Sequence, residues 1–351
     1  MRAGLHQGMR LLATISSGIL VAACGDNHSS STAPDSGIVT PEVDASTGTP
    51  PDATDTAMQR AIVFSGALDS QTEPDLYWMT EDGTRSVRLT DTPEGELFPS
   101  WSPDRTRVAF VRDSALYVLE VASGEVRLVA PHIGRVRPDS THELSAAAWS
   151  PDGTRLLYPY QRMPFVVDGT DESYDTTLHF VNADGTADTP YTEPPEGGQP
   201  PGVGSLGQPA WSSTGLIAFT VADNCPDCAG GSRYAYDSAD GGDYKEIMPL
   251  DLATYPLYPR NGLDWSPDAT HWVFTAKAQP TSESPGVIAV RPVDKAADIH
   301  ELTATGAWNP RYSPDGGSIA YLASDGIYTM TADGRNQHRV MGANFVRGLD
   351  W

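Results

Sequence analysis

Two cysteines close together in the chain, Cys225 and Cys228, are the first residues whose spacing could support chemistry. A CxxC pair can form a short disulfide, supply two zinc ligands or act as a redox-active dithiol. Zinc would need two further ligands, and the sequence contains no second CxxC and no matching histidine pair. A redox dithiol needs a helix N-terminus to lower the pKa of its first cysteine, and nothing helical is predicted here. A disulfide is the preferred interpretation if the protein is exported, while the metal and redox roles stay open.

A run of acidic residues is the second candidate, because Asp168, Asp171, Glu172 and Asp175 could offer carboxylate oxygens to Ca²⁺. They fall in a long predicted loop, where binding residues often lie. Another acidic run, 237–243, lacks the alternating ligands and the closing Glu of an EF-hand, and it coincides with a predicted turn. We predict no bound metal or cofactor, and we keep the residues of the first run as the candidates if a metal does bind.

Catalytic motifs are missing from the sequence: it has no Gly-x-Ser-x-Gly elbow, no His-Glu-x-x-His and no phosphate-binding glycine loop. His132 and His142 flank another predicted loop and could form a metal-binding pair, although two solvated histidines are the simpler interpretation. A non-catalytic binding role is therefore preferred. The alternative is a propeller lyase or hydrolase with a metal carried on loops at the mouth of the central channel.

A repeat provides the elements that must position these residues. It starts as Trp149-Ser-Pro-Asp-Gly153 and continues into the apolar run Leu156-Leu-Tyr158. Proline fixes the first corner of a turn, Asp bonds the backbone two residues on, and Gly accepts the positive φ that follows, so each copy predicts a strand, a turn and a strand. The other copies begin at Trp101, Trp211, Trp265 and Tyr312.

A second hairpin follows most copies, typically at an Ala-Asp-Gly turn such as Ala183-Asp-Gly185. Two hairpins give four antiparallel strands, which is one propeller blade. The chain ends with Gly348-Leu-Asp-Trp351, which matches Gly262-Leu-Asp-Trp265 before a turn, and Ala61-Ile-Val-Phe64 matches the strand after one. We predict an all-β fold, a six-bladed β-propeller of four-stranded antiparallel blades closed by pairing of the C-terminal strand with the N-terminal strands.

The repeated Trp-Ser-Pro-Asp-Gly turn with its Ile-Ala-Phe strand resembles the repeats of TolB-like six-bladed β-propellers over residues 59–351. The sequence departs from that pattern at Ser213-Thr214, which replace Pro-Asp, and at Asp268-Ala-Thr270, which lacks the Gly. The resemblance implies the architecture and a role in binding. It does not identify a ligand, because the same blades occur beside peptidase domains.

Insertions are distributed unevenly around the predicted ring. The turns after the first and third strands of each blade are short, whereas the second-to-third-strand and blade-to-blade connections hold the extra residues. Long loops on a rigid scaffold often carry function, so we predict one bare face and one decorated face. The predicted long loops are 131–143, 160–176, 191–208, 222–232, 251–262 and 277–285.

The N-terminal region is predicted to lie outside the fold. Residues 1–23 combine Arg2 and Arg10 with an apolar run of signal-peptide length, and Val21-Ala-Ala23 before Cys24 resembles the lipobox of bacterial lipoproteins. That resemblance implies lipidation at Cys24, and Gly25 after the cysteine favours the outer membrane. Residues 24–58 are rich in Ser, Thr, Pro and Asp, which predicts a disordered tether.

Charge limits the partners. The formal net charge is −23, and removal of residues 1–23 leaves −25. Such a surface repels phosphate backbones, so nucleic acid is excluded as a partner. We expect a monomer that contacts the membrane only through its lipid and binds an envelope protein or another envelope component.

Overall fold

The structure is a computed structural model that describes fifteen parts of the chain, all within the compact unit Thr40–Trp351. These parts are residues 58–68, 72–131, 133, 147–161, 165–167, 171–173, 176–191, 204–223, 232–246, 258–259, 262–277, 286–294, 298–303, 306–342 and 346–351. The signal peptide, Cys24 and nearly all of the tether lie outside them, so those assignments stay predictions.

Antiparallel sheets in chain order form the blades of a propeller. A 3-10 turn at Met58–Arg60 leads into blade 1, which contains β1 (Ile62–Gly66), β2 (Asp75–Met79) and β3 (Ser86–Arg88). Blade 2 contains β4 (Glu96–Trp101), β5 (Arg107–Arg112), β6 (Ala115–Glu120) and β7 (Glu125–Ala130). Blade 3 contains β8 (Ala148–Trp149) and β9 (Arg155–Gln161), then a separate hairpin of β10 (Phe165–Val167) and β11 (Asp171–Ser173), and finally β12 (Thr176–Asn182) and β13 (Thr189–Pro190).

The second half of the ring repeats this plan. Blade 4 contains β14 (Gly204–Trp211), β15 (Leu216–Asp223), β16 (Ser232–Ser238) and β17 (Lys245–Glu246). Blade 5 has an interrupted inner strand, β18 (Tyr258–Pro259) and β19 (Asp264–Trp265), followed by β20 (His271–Lys277), β21 (Gly286–Pro292) and β22 (His300–Glu301). Blade 6 contains β23 (Ala307–Tyr312), β24 (Ser318–Ala323), β25 (Gly326–Thr331) and β26 (His338–Gly342).

The last strand of the chain, β27 (Val346–Asp350), completes blade 1. It pairs antiparallel with β1, with Leu349 opposite Phe64. The predicted six blades and the predicted closure by the C-terminal strand are confirmed. The pairing covers the edge of β1 at which another chain could otherwise add a strand.

Strand boundaries differ from the sequence prediction at several loops. Strand β9 continues to Gln161, inside the predicted loop 160–176, and β14 begins at Gly204, inside the predicted loop 191–208. The hairpin of β10 and β11 was not predicted either, because its polar residues 171–173 lack the apolar alternation that indicates a strand. Only backbone pairing reveals these extensions.

Six clusters of buried apolar side chains lie between neighbouring blades, one at each interface. The middle strands are buried on both faces, as in β24, where the four central residues Ile319–Leu322 are all buried. This explains why these strands have continuous apolar runs and not strict alternation. The cluster between blades 6 and 1 contains Leu322, Met341, Phe64 and Trp351, so the closing strand belongs to the core.

Aromatic residues at the ends of the inner strands connect the blades. These anchor aromatics are Trp101, Trp149, Trp211, Trp265, Tyr312 and Trp351. The indole of Trp101 donates a hydrogen bond to the Ala61 carbonyl in blade 1 at 3.0 Å, and Trp149 donates to Ser100 in blade 2 at 3.1 Å. Five of these aromatics are buried, with 5–6% of their surface exposed, and Trp211 is partly buried.

The predicted turn chemistry is also confirmed. In blade 3 the Ser150 hydroxyl donates to Asp152 at 2.6 Å, and Asp152 accepts the amide of Thr154 at 3.0 Å. Gly153 has the expected positive φ, +67°. These hydrogen bonds lower the pKa of Asp152 to about 2, so this carboxylate is committed to the turn and is not a free ligand.

We predict that Trp351→Ala destabilises the protein by ~3–5 kcal/mol, the usual cost of truncating a buried tryptophan. Trp351 is 6% exposed, and its indole donates to the Arg60 carbonyl at 2.8 Å. The measurement is the free energy of unfolding in urea. The control is Leu128→Ala, because Leu128 is 47% exposed and should change stability by no more than ~0.5 kcal/mol. Equal losses in the two variants would contradict the role of the C-terminal residue.

Candidate functional site

The inner strands of all six blades end around one pocket on the propeller axis. Its volume is about 270 Å³. It lies at the end of the channel where the Ser-Pro-Asp-Gly turns begin, which we call the tight-turn face. The residues that line it are Ser100, Trp101, Ser102, Pro103, Arg105, Ala147, Ala148, Trp149, Pro209, Ala210, Trp211, Leu263, Asp264, Arg311, Pro314, Asp350 and Trp351.

One position recurs in every blade at this pocket, immediately before the anchor aromatic. In blades 5, 6 and 1 it is occupied by Asp264, Arg311 and Asp350. In blades 2, 3 and 4 it is occupied by the small residues Ser100, Ala148 and Ala210. At this recurring position the axial pocket therefore has a charged half in blades 5, 6 and 1 and a mostly apolar half in blades 2, 3 and 4, although the backbone around it repeats regularly.

A bend in the inner strand directs this position toward the axis. Phe98, Gln208 and Asn309, each followed by proline, have φ values of 52°, 51° and 53°, and the strand pairing shifts register beside each of them. Such bulges kink a strand and reorient the side chains that follow. Gly262 takes the corresponding position in blade 5 with φ +82°, and a Cβ there would lie 2.5 Å from the Cα of Asn309. Only glycine fits that contact.

Both aspartates of the charged half hold the next blade in place. The Asp350 carboxylate accepts the backbone amide of Trp101 at 2.8 Å, and Asp264 accepts the amide of Tyr312 at 2.8 Å. Arg311 lies between them, with its Nε 3.5 Å from an Asp350 oxygen and its Nη1 donating to the Pro310 carbonyl at 2.9 Å. The cluster thus joins blades 5, 6, 1 and 2.

Arg105 brings a second guanidinium to the axial pocket from an unusual backbone position. Its φ is 60°, at the turn position that Gly153 and Gly316 take in other blades. A non-glycine residue there is disfavoured and persists where its surroundings hold it. Arg105 is 6% exposed, and its Nη1 donates to the Ala61 carbonyl at 3.0 Å. Burial lowers its pKa to about 10, although the nearby Asp350 carboxylate acts in the opposite direction.

Asp264 is the group whose protonation is most altered in this cluster. Burial raises its pKa from 3.8 to about 7; the Arg311 guanidinium opposes that rise, and the Asp350 carboxylate adds to it. A carboxyl with such a pKa exchanges its proton near neutral pH. This combination of a cavity, buried and partly buried charges and a carboxyl with a raised pKa marks the axial pocket as the candidate site.

The structure tests only part of the site predictions made from sequence. The run 237–243 is confirmed as a turn: Asp237 is fully buried, accepts the Tyr191 hydroxyl at 2.6 Å and accepts the Asp243 amide at 2.7 Å. Asp171 and Glu172 lie in β11, with side chains outside the described part. Cys225, Cys228, Asp168, Asp175, His132 and His142 also lie outside the described residues, so the disulfide and metal assignments stay predictions.

Sequence reasoning missed the axial cluster. The match between Gly262-Leu-Asp-Trp265 and Gly348-Leu-Asp-Trp351 indicates ring closure but does not show that the two aspartates face one pocket. Arg105 at the turn position of Gly153 is a second signal in the sequence. A comparison of equivalent positions around the ring would have grouped Asp264, Arg311 and Asp350.

Other features of the described residues point to no further site. Within the described parts of the chain there is no group of three or more His, Cys, Asp and Glu side chains that could hold a metal ion. The same parts contain no helix long and apolar enough to span a membrane. A second cavity between blades 5 and 6 contains His271 and His300, which are paired with the Thr270 hydroxyl and with Asp298.

Comparison with known proteins defines the class of fold. A model of the dipeptidyl peptidase IV N-terminal region matches residues 71–162. TolB from Acinetobacter baumannii is similar over 84% of this chain and 67% of its own, with 16% identity and a TM-score of 0.61. A protein described as TolB from Agrobacterium tumefaciens is similar over 82% of this chain and 91% of its own, with 17% identity and a TM-score of 0.53. This chain has the fold of TolB-like six-bladed β-propellers.

The same fold also occurs in an enzyme. Hydrazine synthase from Kuenenia stuttgartiensis is similar over 83% of this chain and 46% of its own, with 11% identity and a TM-score of 0.60. No curated protein sequence matches this chain. Identities this low support the architecture alone, so function has to be argued from the site.

We predict that Asp264 makes stability depend on pH. The folded protein holds a proton on this carboxyl up to about pH 7, whereas the unfolded chain releases it near 3.8. The stabilisation is therefore complete below pH 4 and is lost as pH rises through 7. Asp264→Asn removes the titrating group. Its stability relative to the unaltered protein should rise by roughly 3 kcal/mol between pH 5 and pH 8, measured by urea unfolding at each pH. A constant difference across that range would contradict the shifted pKa.

Proposed function

We propose that this protein is a non-catalytic binding scaffold of the cell envelope, anchored through Cys24, which binds an envelope protein or another envelope component. The observation that carries the proposal is the separation of its two faces. All connections after the first and third strands of the described blades are short, whereas the long segments leave from the opposite side, which we call the loop face. A rigid ring that displays loops on one side is suited to binding.

Hydrogen bonds join turns of neighbouring blades on the tight-turn face. Arg107 donates to the Gly153 carbonyl of the next blade at 2.9 Å, and the Ser213 hydroxyl donates to the Pro267 carbonyl at 2.8 Å. These contacts stabilise the turns against each other.

The chain enters the ring at the tight-turn face. Met58 is fully buried there, and Arg60 pairs with Glu81 and with Asp315, which lie on turns of that face. The N-terminal end of the described ring therefore lies on the side opposite the loop face.

Charge and sequence support a partner of a particular kind. The formal charge of −23 favours a partner with a basic surface and opposes nucleic acid. The absence of catalytic motifs from the sequence favours binding over catalysis. The likeness to TolB structures also supports a binding scaffold. The fold by itself does not distinguish binding from catalysis.

The anchor is tested by metabolic labelling with a fatty-acid analogue. We expect the intact protein to carry the label and to sediment with membranes, and Cys24→Ser to lose both properties. Label that persists in Cys24→Ser would contradict the anchor, whatever the propeller binds.

The loop face is tested by capture from envelope extract with a variant in which residues 162–175 are replaced by a short Gly-Ser linker. We expect this variant to lose a defined partner that the intact protein captures. The matched control is Arg335→Ala, an exposed charge on the tight-turn face, which should capture the partner normally. If the shortened variant captured as well as the control, the loop would have no part in binding.

A further inference from the structure

Four charged residues alternate in sign around the axial pocket. In ring order they are Asp264 in blade 5, Arg311 in blade 6, Asp350 in blade 1 and Arg105 in blade 2. Asp350 lies between two cations. The Nε of Arg311 is 3.5 Å from an Asp350 oxygen, and, although burial lowers the pKa of Arg105, the negative charge of Asp350 acts to raise it. Alternation of this kind compensates most of the charges that the pocket withdraws from water.

Asp264 stands at one end of this series, and its negative charge has a cation on one side only within the described lining of the pocket. Among the described residues that line the axial pocket, Arg311 is the one cation beside it. On its other side blade 4 contributes Pro209 and Ala210, which carry no charge. The groups facing Asp264 are thus Arg311 and Tyr312 from blade 6 and Asp350 from blade 1, and a further cation would complete the alternation.

We propose that the axial pocket binds the ammonium group of a small aliphatic amine against Asp264, with the carbon chain of the amine packed on Ala148, Pro209 and Ala210. The charged half of the pocket supplies the ion pair, and the apolar half supplies the surface for a short chain. This site needs neither the lipid anchor nor the loop face, so it is independent of the proposed scaffold function.

The size of the axial pocket limits the ligand. Its volume of about 270 Å³ falls just below the ~300–1,000 Å³ of pockets for drug-sized ligands. An amine with a few carbon atoms fits this space. The strongly negative protein also raises the local concentration of cations.

Protonation of Asp264 couples amine binding to pH. The amine stays charged well above neutral pH, whereas the Asp264 carboxyl has a pKa of about 7 and must be ionised to pair with it. Affinity should therefore fall as the medium becomes more acidic than pH 7. Between pH 8 and pH 6 the loss is roughly tenfold for a single carboxyl that must be ionised.

The test is isothermal titration calorimetry of the full-length protein with n-butylammonium, 1-butanol and butyrate at pH 6 and pH 8. We expect n-butylammonium to bind, about tenfold more tightly at pH 8 than at pH 6, and the neutral and anionic analogues not to bind. Binding of 1-butanol as tight as that of n-butylammonium, or equal affinity at the two pH values, would overturn the proposal.

Two variants distinguish the effect of the Asp264 charge on binding from the effect of the protein's overall negative charge. Asp264→Asn keeps an oxygen to accept the Tyr312 amide but removes the charge, and should weaken binding by more than tenfold. The control is Asp333→Asn, in an exposed turn of blade 6, which should bind as the unaltered protein does. Equal affinity of the two variants would contradict the assignment.

Two further measurements keep the proposal testable if Asp264→Asn does not fold. In the unaltered protein, the pKa of Asp264 followed by carboxyl ¹³C NMR should fall when n-butylammonium saturates the site, and an unchanged pKa would refute the ion pair. Lysine blocked at both backbone ends carries the same ammonium on a bulkier group. It should bind more weakly than n-butylammonium, and tighter binding would overturn the assignment to free amines.

Discussion

The pairing of β27 with β1 is the constraint on which the rest of this structure depends. It joins the two ends of the described ring, buries Trp351 between blades 6 and 1, and satisfies strand edges that would otherwise be open. It also places Asp350 and Trp351 in the wall of the axial pocket. Without this pairing, the charged series would lose one of its aspartates and blade 2 would lose the acceptor for the Trp101 amide.

The six blades share one backbone plan, but the side chains that they present to the axial pocket differ. At the position before the anchor aromatic, blades 5, 6 and 1 carry charges, while Ser100, Ala148 and Ala210 are small. Buried charges are costly unless they are paired and hydrogen-bonded. The strained backbone of Arg105 adds a further local cost. Features of this kind tend to lie at functional sites, whereas turn residues such as Ser150 and Asp152 form hydrogen bonds within their own turn.

The architecture followed from the sequence because its determinants are local. Proline, aspartate and glycine fix each turn, and the match of Gly348–Trp351 to Gly262–Trp265 indicated closure. The axial pocket did not follow, because its charges come from separate blades and are brought together only by the ring. Strand ends in the long loops were also missed, since polar residues such as Asp171 pair through their backbone. The shifted pKa of Asp264 depends on burial, which no motif reveals.

Native-state hydrogen exchange tests ring closure most directly. If β27 closes the ring, its amides and those of β1 should open with a free energy close to that of β5 and β6 in blade 2, which lie within a continuous part of the chain. Rapid exchange throughout β27, with β5 and β6 still protected, would show that the last strand is not part of the folded ring. The axial pocket would then lose the part of its wall that Asp350 and Trp351 form.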